Sequence, residues 1–140
     1  MQPKFFEDFN LNNMEPNTPP IHMNGKICYL EIPAIDIDRS SSFYKDVFGW
    51  KVRQRSNGHI AFDDSTGQVS GTWILCRDAV PEPGVIIYIM VDSISSTIDA
   101  VELHGGKIVQ PIGMDAPEIT ARFSDPAGNI FGLYQEPTLA

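Results

Sequence analysis

The chain has little cysteine, little positive charge and no long apolar run, and each shortage narrows what it can be. Its two cysteines, Cys28 and Cys76, are too few for a disulfide framework and lack C-x-x-C spacing. Both sit in apolar, strand-like runs and are expected to be buried, reduced thiols. Ten Lys and Arg against eighteen Asp and Glu leave a formal net charge of −8. That balance argues against nucleic acid as a partner, because a phosphate backbone needs a positive surface. No apolar run reaches the roughly 18 to 20 residues of a membrane span. The N-terminus has no basic region followed by an apolar stretch, so no secretory signal is read and the expected location is the cytoplasm. The three histidines, His22, His59 and His104, make no H-x-x-x-H or H-E pair. No G-x-S-x-G, phosphate-loop or dinucleotide fingerprint is present.

What remains is 140 residues with 42% hydrophobic content, enough for one soluble domain with a real core. Residues 1–24 stand apart. They hold Pro16, Pro19, Pro20 and many Asn without a sustained period, and read as an irregular arm. Within it Phe5, Phe6 and Phe9 are apolar enough to dock on the body or on a partner subunit. Residues 25–140 read as a single domain.

That domain repeats itself. Residues 27–33 form a β-rich run, and Asp36-Ile37-Asp38 opens a helix with Asp38 or Ser40 as N-cap. Phe43, Val47 and Phe48 give the helix an apolar face, and Gly49 ends it. Strands follow over 50–55, 59–64 and 71–76, the first two joined by the Asn57-Gly58 turn. Pro81, Pro83 and Gly84 mark a linker over 79–84. The second half reads as a strand over 85–92, a helix from Ser93 to His104 stopped by Gly105, and strands over 107–112, 118–123 and 129–135. Both halves are β-α-β-β-β, module one over 26–78 and module two over 85–137. The intervals Asp36 to Gly49 and Asp92 to Gly105 are equal, 13 residues each. A repeated unit that cannot bury its own sheet face should pair with its copy. The expected fold is α+β, two modules curling their sheets into one open cup with helices outside and a concave pocket within.

The stretches SSSFYKDVFGWKV (40–52), HGGKIV (104–109) and DPAGNIFGLYQ (125–135), on this repeat, resemble the vicinal oxygen chelate superfamily of glyoxalase I, bleomycin-resistance proteins and extradiol dioxygenases. The resemblance covers about residues 26–137. It implies the fold and, for metal-dependent members, four inward-pointing His or Glu ligands on the first and last strands of each module. Carried over by spacing, those positions hold Tyr29, Leu75, Ile86 and Gly132. None is an imidazole, carboxylate or thiolate, so no metal ligand and no cofactor is expected. The resemblance further implies a homodimer.

Strand alternation assigns Tyr29, Glu31, Pro33, Trp73, Leu75, Ile86, Tyr88, Met90, Ile130, Gly132 and Tyr134 to the cup. It assigns Cys28, Leu30, Ile32, Val85, Ile87, Ile89, Phe131 and Leu133 to the helix side. Glu31 stands out as a carboxylate in an apolar strand. It reads as a general base or ligand acceptor whose proton affinity desolvation raises, or as a structural partner of Arg122. Glu118 and Arg122 share an alternating face and read as cup residues, Arg122 as an anion binder, or as a surface ion pair. Tyr29, Trp73, Tyr88 and Tyr134 read as an aromatic wall, with Gly132 leaving room for ligand. The expected function is metal-independent binding of a small organic molecule, with acid–base chemistry at Glu31 as an option. Two alternatives stay open. One is a metal-dependent lyase, isomerase or dioxygenase using Glu31 and Glu118, with a divalent metal. The other is a partner-binding module that uses the arm.

Overall fold

The structure, a computed structural model, describes residues 19–139. The aromatic cluster Phe5, Phe6 and Phe9 therefore lies outside the described residues. The elements run β1 (Tyr29–Pro33), α1 (Ile37–Phe48), β2 (Lys51–Gln54), β3 (Ile60–Asp63), β4 (Ser70–Ile74), β5 (Tyr88–Met90), α2 (Ile94–Leu103), β6 (Lys107–Gln110), β7 (Ile119–Ser124) and β8 (Ile130–Gln135), then a 3-10 turn over Pro137–Leu139. The β-α-β-β-β repeat is present in both halves. Several strands are shorter than the sequence runs suggested, most of all β5, whose regular part starts at Tyr88 and not at residue 85.

Each module folds into its own four-stranded mixed sheet, β1-β4-β3-β2 and β5-β8-β7-β6. In each, the first strand pairs in parallel with the last and the others pair antiparallel. A single apolar cluster draws on both helices and both sheets. Among the described residues no helix is long and apolar enough to cross a membrane.

Local chemistry sets the helix ends. The α1 N-cap is Asp36, not Asp38 or Ser40. Its Oδ1 accepts from the Arg39 N–H at 3.1 Å, satisfying one of the orphan donors of the first turn. Gly49 closes α1 in the left-handed region at φ 72°, where a side chain would be strained. Ser93 caps α2, and the Gln135 side chain at the end of β8 accepts from the Ile94 N–H at 2.8 Å. That bond ties the start of α2 to its own sheet.

Helix α1 is the centre of the core. Phe43 and Tyr44 are fully or almost fully buried. Tyr44 stacks on Trp50 with ring centres 4.6 Å apart, and Trp50 stacks on Phe62 at 4.5 Å. The same two helix residues meet the second sheet, Phe43 against Phe123 at 5.9 Å and Tyr44 edge-on to Phe131 at 5.7 Å. Offset and edge-on aromatic pairs of this kind contribute beyond their buried area.

One polar group sits inside this apolar junction. Asp125 is 4% exposed and accepts four hydrogen bonds: from the Tyr44 hydroxyl at 2.9 Å, the Asn129 amide at 2.8 Å, and the backbone N–H groups of Ala127 and Asn129, both at 2.9 Å. Asn129 Nδ2 also donates to the Pro33 carbonyl at the end of β1, at 2.7 Å. The turn before β8, helix α1 and strand β1 are thus joined through one carboxylate. Burial pushes the Asp125 carboxyl above its ordinary range, and the hydrogen bonds from Asn129, Tyr44 and Ala127 pull it back in part. Burial and then the Asp125 charge push the Tyr44 phenol well up, so it stays a donor.

Both cysteines depart from expectation. Cys28 and Cys76 are exposed, because β1 and β4 are shorter than their apolar runs and leave each thiol just outside the ladder.

Tyr44→Phe should therefore destabilise the fold by about 1.5–3 kcal/mol, the range for a hydrogen bond to a charged group. Asp125→Asn should cost more, since it turns one acceptor oxygen into a donor facing the Tyr44 and Asn129 donors. Urea titration followed by tryptophan fluorescence measures both.

Candidate functional site

The helices cover one face of each sheet and leave the other open. The cross-strand register defines the open face of the first sheet as two rows, Tyr29–Ser70–Asp63–Lys51 and Glu31–Thr72–Ala61–Arg53. On the second sheet the central row is Tyr88–Gly132–Arg122, followed by Met90–Tyr134–Thr120.

The sequence reading of β1 holds here. Tyr29 and Glu31 are exposed, while Leu30 and Ile32 turn to the core. In β4 it fails. Ile32 pairs with Trp73 in parallel register, so Trp73 shares the face of Ile32 and not that of Tyr29. Trp73 is 3% exposed and packs against Phe62 and Tyr44; its Nε1 has no hydrogen-bond partner. Trp73 is thus a core residue, not part of a ligand wall. Leu75 lies beyond the end of β4 and is exposed; it lines no open-face row. The reason is the choice of anchor. Gly128 stands at φ 95° in the turn before β8, whereas Gly71 lies inside β4, so counting four residues from each reaches different places. Pairing with the first strand matches Gly132 to Thr72 instead, through Tyr88 in one sheet and Glu31 in the other. Thr72 donates its hydroxyl to the Ile60 carbonyl at 2.7 Å. Val85 and Ile87, expected against the helices, are exposed; the regular strand starts only at Tyr88, although the Ile87 carbonyl still accepts from the Gly132 N–H at 2.8 Å.

Glu31 also lands in different company. It is exposed and bonds Arg77 at 3.0 Å, not Arg122. The pair stands at a cavity of about 260 Å³ beside the connector between the modules, with Pro33, Val80, Val85 and Ile130 among its walls. The burial expected for this carboxylate is not present. Glu118 is exposed ahead of β7 and makes no ion pair with Arg122 among the described residues. It lies near Tyr134, which donates to Glu136 at 3.1 Å. Desolvation and the charges of Glu136 and Glu118 push the Tyr134 phenol up. Ile86 is half-buried ahead of β5.

Two contacts of one kind cross the open faces. In the first sheet the Arg55 guanidinium donates to the Tyr29 hydroxyl and lies 5.5 Å from its ring centre. Tyr29 is on β1 and Arg55 follows β2, the two outer strands, which in a flat sheet stand about 14 Å apart. Their two long side chains reach towards each other across the open side and close that gap. In the second sheet Tyr88 lies across Gly132, and its hydroxyl accepts a long bond, 3.4 Å, from Arg122 Nη2. A Cβ at Gly132 would collide with the Tyr88 ring. Gly132 thus makes room for this chain's own tyrosine. Arg53 differs from both, being bound by Asp63 at 2.9 Å, an interaction that lowers the Asp63 carboxyl and raises the guanidinium.

The metal that the fold family implies does not fit these residues. Tyr29 bonds a guanidinium, Thr72 bonds a backbone carbonyl, Ile86 has no donor, and the space at Gly132 is taken by a phenol ring. Among the described residues no group of three or more His, Cys, Asp or Glu is placed to hold an ion. His22 and His59 are exposed, and His104 ends α2 with Nδ1 3.8 Å from Asp46.

Gly132→Ala should displace Tyr88 and cost about 1–3 kcal/mol, as overpacking does. Pairing it with Tyr88→Ala should recover part of that loss in a double-mutant cycle read by urea unfolding.

Comparison with known proteins agrees with this architecture. A family model described as Glyoxalase/Bleomycin resistance protein/Dioxygenase superfamily matches residues 26–133. A "Glyoxylase-like domain-containing protein" from Didymella fabae is 32% identical over 130 residues, covering 82% of this chain and 97% of that protein. Among solved structures, a hypothetical protein from S. aureus superposes with a TM-score of 0.66 at 19% identity, covering 82% of this chain and 96% of that one. TnmS3, an antibiotic binding protein from Streptomyces sp. CB03234, superposes with a TM-score of 0.59 at 20% identity, covering 81% and 98%. With its repeated module, its paired motifs and these matches, the chain belongs to the glyoxalase/bleomycin resistance protein/dioxygenase superfamily.

Proposed function

We propose that this protein binds a small organic molecule on the open faces of its sheets without using a metal ion. The observation that carries the reading is the Tyr88 ring laid over Gly132. A metal-binding relative would have a carboxylate there, whereas this chain puts an aromatic surface at the centre of the row. Tyr29 and Tyr88 are both 40% exposed, large rings held in place and still open to contact. Rigid phenols offer much contact area for little ordering cost. The neighbour TnmS3, which has this fold and is described as an antibiotic binding protein, supports the same reading. The metal-dependent alternative would recruit Glu31 and Glu118, but Glu31 is engaged by Arg77 and no observation brings the two carboxylates together. Acid–base chemistry at Glu31 has no support beyond the residue's presence on the face. A homodimer remains part of the proposal, resting on the resemblance alone.

Protein incubated with nickel, zinc, manganese or ferrous iron and then desalted should retain no stoichiometric metal by elemental analysis. Near one equivalent that a chelator removes would overturn the reading. Tyr88→Ala should weaken binding of a planar organic ligand about tenfold or more, in line with the loss of a central aromatic anchor, while Trp73, in the core, affects stability instead.

A further inference from the structure

The open faces hold two arginines, Arg55 and Arg122, that no carboxylate pairs among the described residues. The protein carries 18 acidic and 10 basic residues. On such a surface an arginine has many carboxylates to choose from. Arg53 and Arg77 have found theirs, in Asp63 and Glu31. Arg55 and Arg122 have not. Both are half-buried, and among the described residues neither forms a salt bridge. Each instead meets a tyrosine hydroxyl, Tyr29 in the first sheet and, over a long 3.4 Å bond, Tyr88 in the second. The Arg122 Nε is buried with no hydrogen-bond partner at all.

This arrangement has a cost that needs an explanation. A guanidinium cannot shed its proton, so partial burial leaves a charge that has lost part of its hydration and gained no counter-ion. A lysine in the same place could neutralise; an arginine cannot. The planar fork is suited to a carboxylate in two-point contact, and a ring beside each fork adds a flat apolar surface. We propose that Tyr88–Arg122 and Tyr29–Arg55 are anion-recognition points, and that the molecule bound on these faces is a planar organic anion such as an aromatic carboxylate. The inference rests on the small-molecule reading above and narrows it to a charge class. Glu118 and Glu136 stand beside Tyr134 on the second sheet, so the anion sits at the Tyr88 end of that face.

The test uses three probes of one shape: benzoate, its neutral isostere benzamide, and the cation benzylamine. Each is titrated into the full-length protein and followed by backbone and arginine Nε–H correlation spectra. Benzoate should give saturable shifts at Arg122 and Tyr88, and benzamide should bind at least fivefold more weakly at the same residues. Arg122→Gln should weaken benzoate at least fivefold and leave benzamide unchanged, with Arg122→Lys between wild type and Gln; matching spectra elsewhere show that the variants are folded. Equal binding of benzoate and benzamide at the open face, or tighter binding of benzylamine, overturns the charge inference and leaves the small-molecule reading standing. No open-face shift with any of the three overturns both.

Discussion

The buried carboxylate of Asp125 is the constraint on which the rest of the molecule depends. It sits where the two modules meet and where α1 presses both sheets together. An ionisable group there must be fully hydrogen-bonded, and four donors from three parts of the chain satisfy it. Through Tyr44 it fixes the rotation of α1. Through Asn129, which also reaches the Pro33 carbonyl, it fixes the distance from β8 to β1. The Phe-Tyr pair of the first module and the Asp-Pro-x-Gly-Asn turn of the second are therefore two halves of one junction, which gives a physical reason for finding both in one sequence.

Holding the modules this way buries one face of each sheet and leaves the other to do something else. On the open faces the positions that could hold a metal have been given to other tasks. Tyr88 lies across Gly132, Thr72 bonds its neighbour's backbone, and Tyr29 reaches across its sheet to Arg55. The result is two open faces, each with a phenol and a guanidinium in contact. Such a surface offers shape, flat apolar area and positive charge.

Burial also explains the outward-facing apolar residues near the connector. Val80, Val85 and Ile87 are exposed around a cavity that ends at the Glu31–Arg77 pair. Regular β5 starts only at Tyr88, so residues that read as a continuous strand from 85 do not all pack against a helix.

The sequence by itself determined the repeated module and the helix limits to within a residue or two. These follow from local spacing: apolar residues on one helix face, glycines just past helix ends, turns at Asn57-Gly58 and Asp125 to Gly128. It also determined the two faces of β1, because alternation within one strand is local. Tertiary structure alone decided which face of β4 joins β1. Parallel pairing set Trp73 beside Ile32 and sent it to the core, and a register one residue different would have reversed every side chain of that strand. It alone decided that Glu31 pairs with Arg77, that Gly132 makes room for Tyr88, and that Arg55 and Arg122 meet phenols instead of carboxylates. Those contacts join residues far apart in the chain, and only the pairing and register of the assembled sheets bring them within reach.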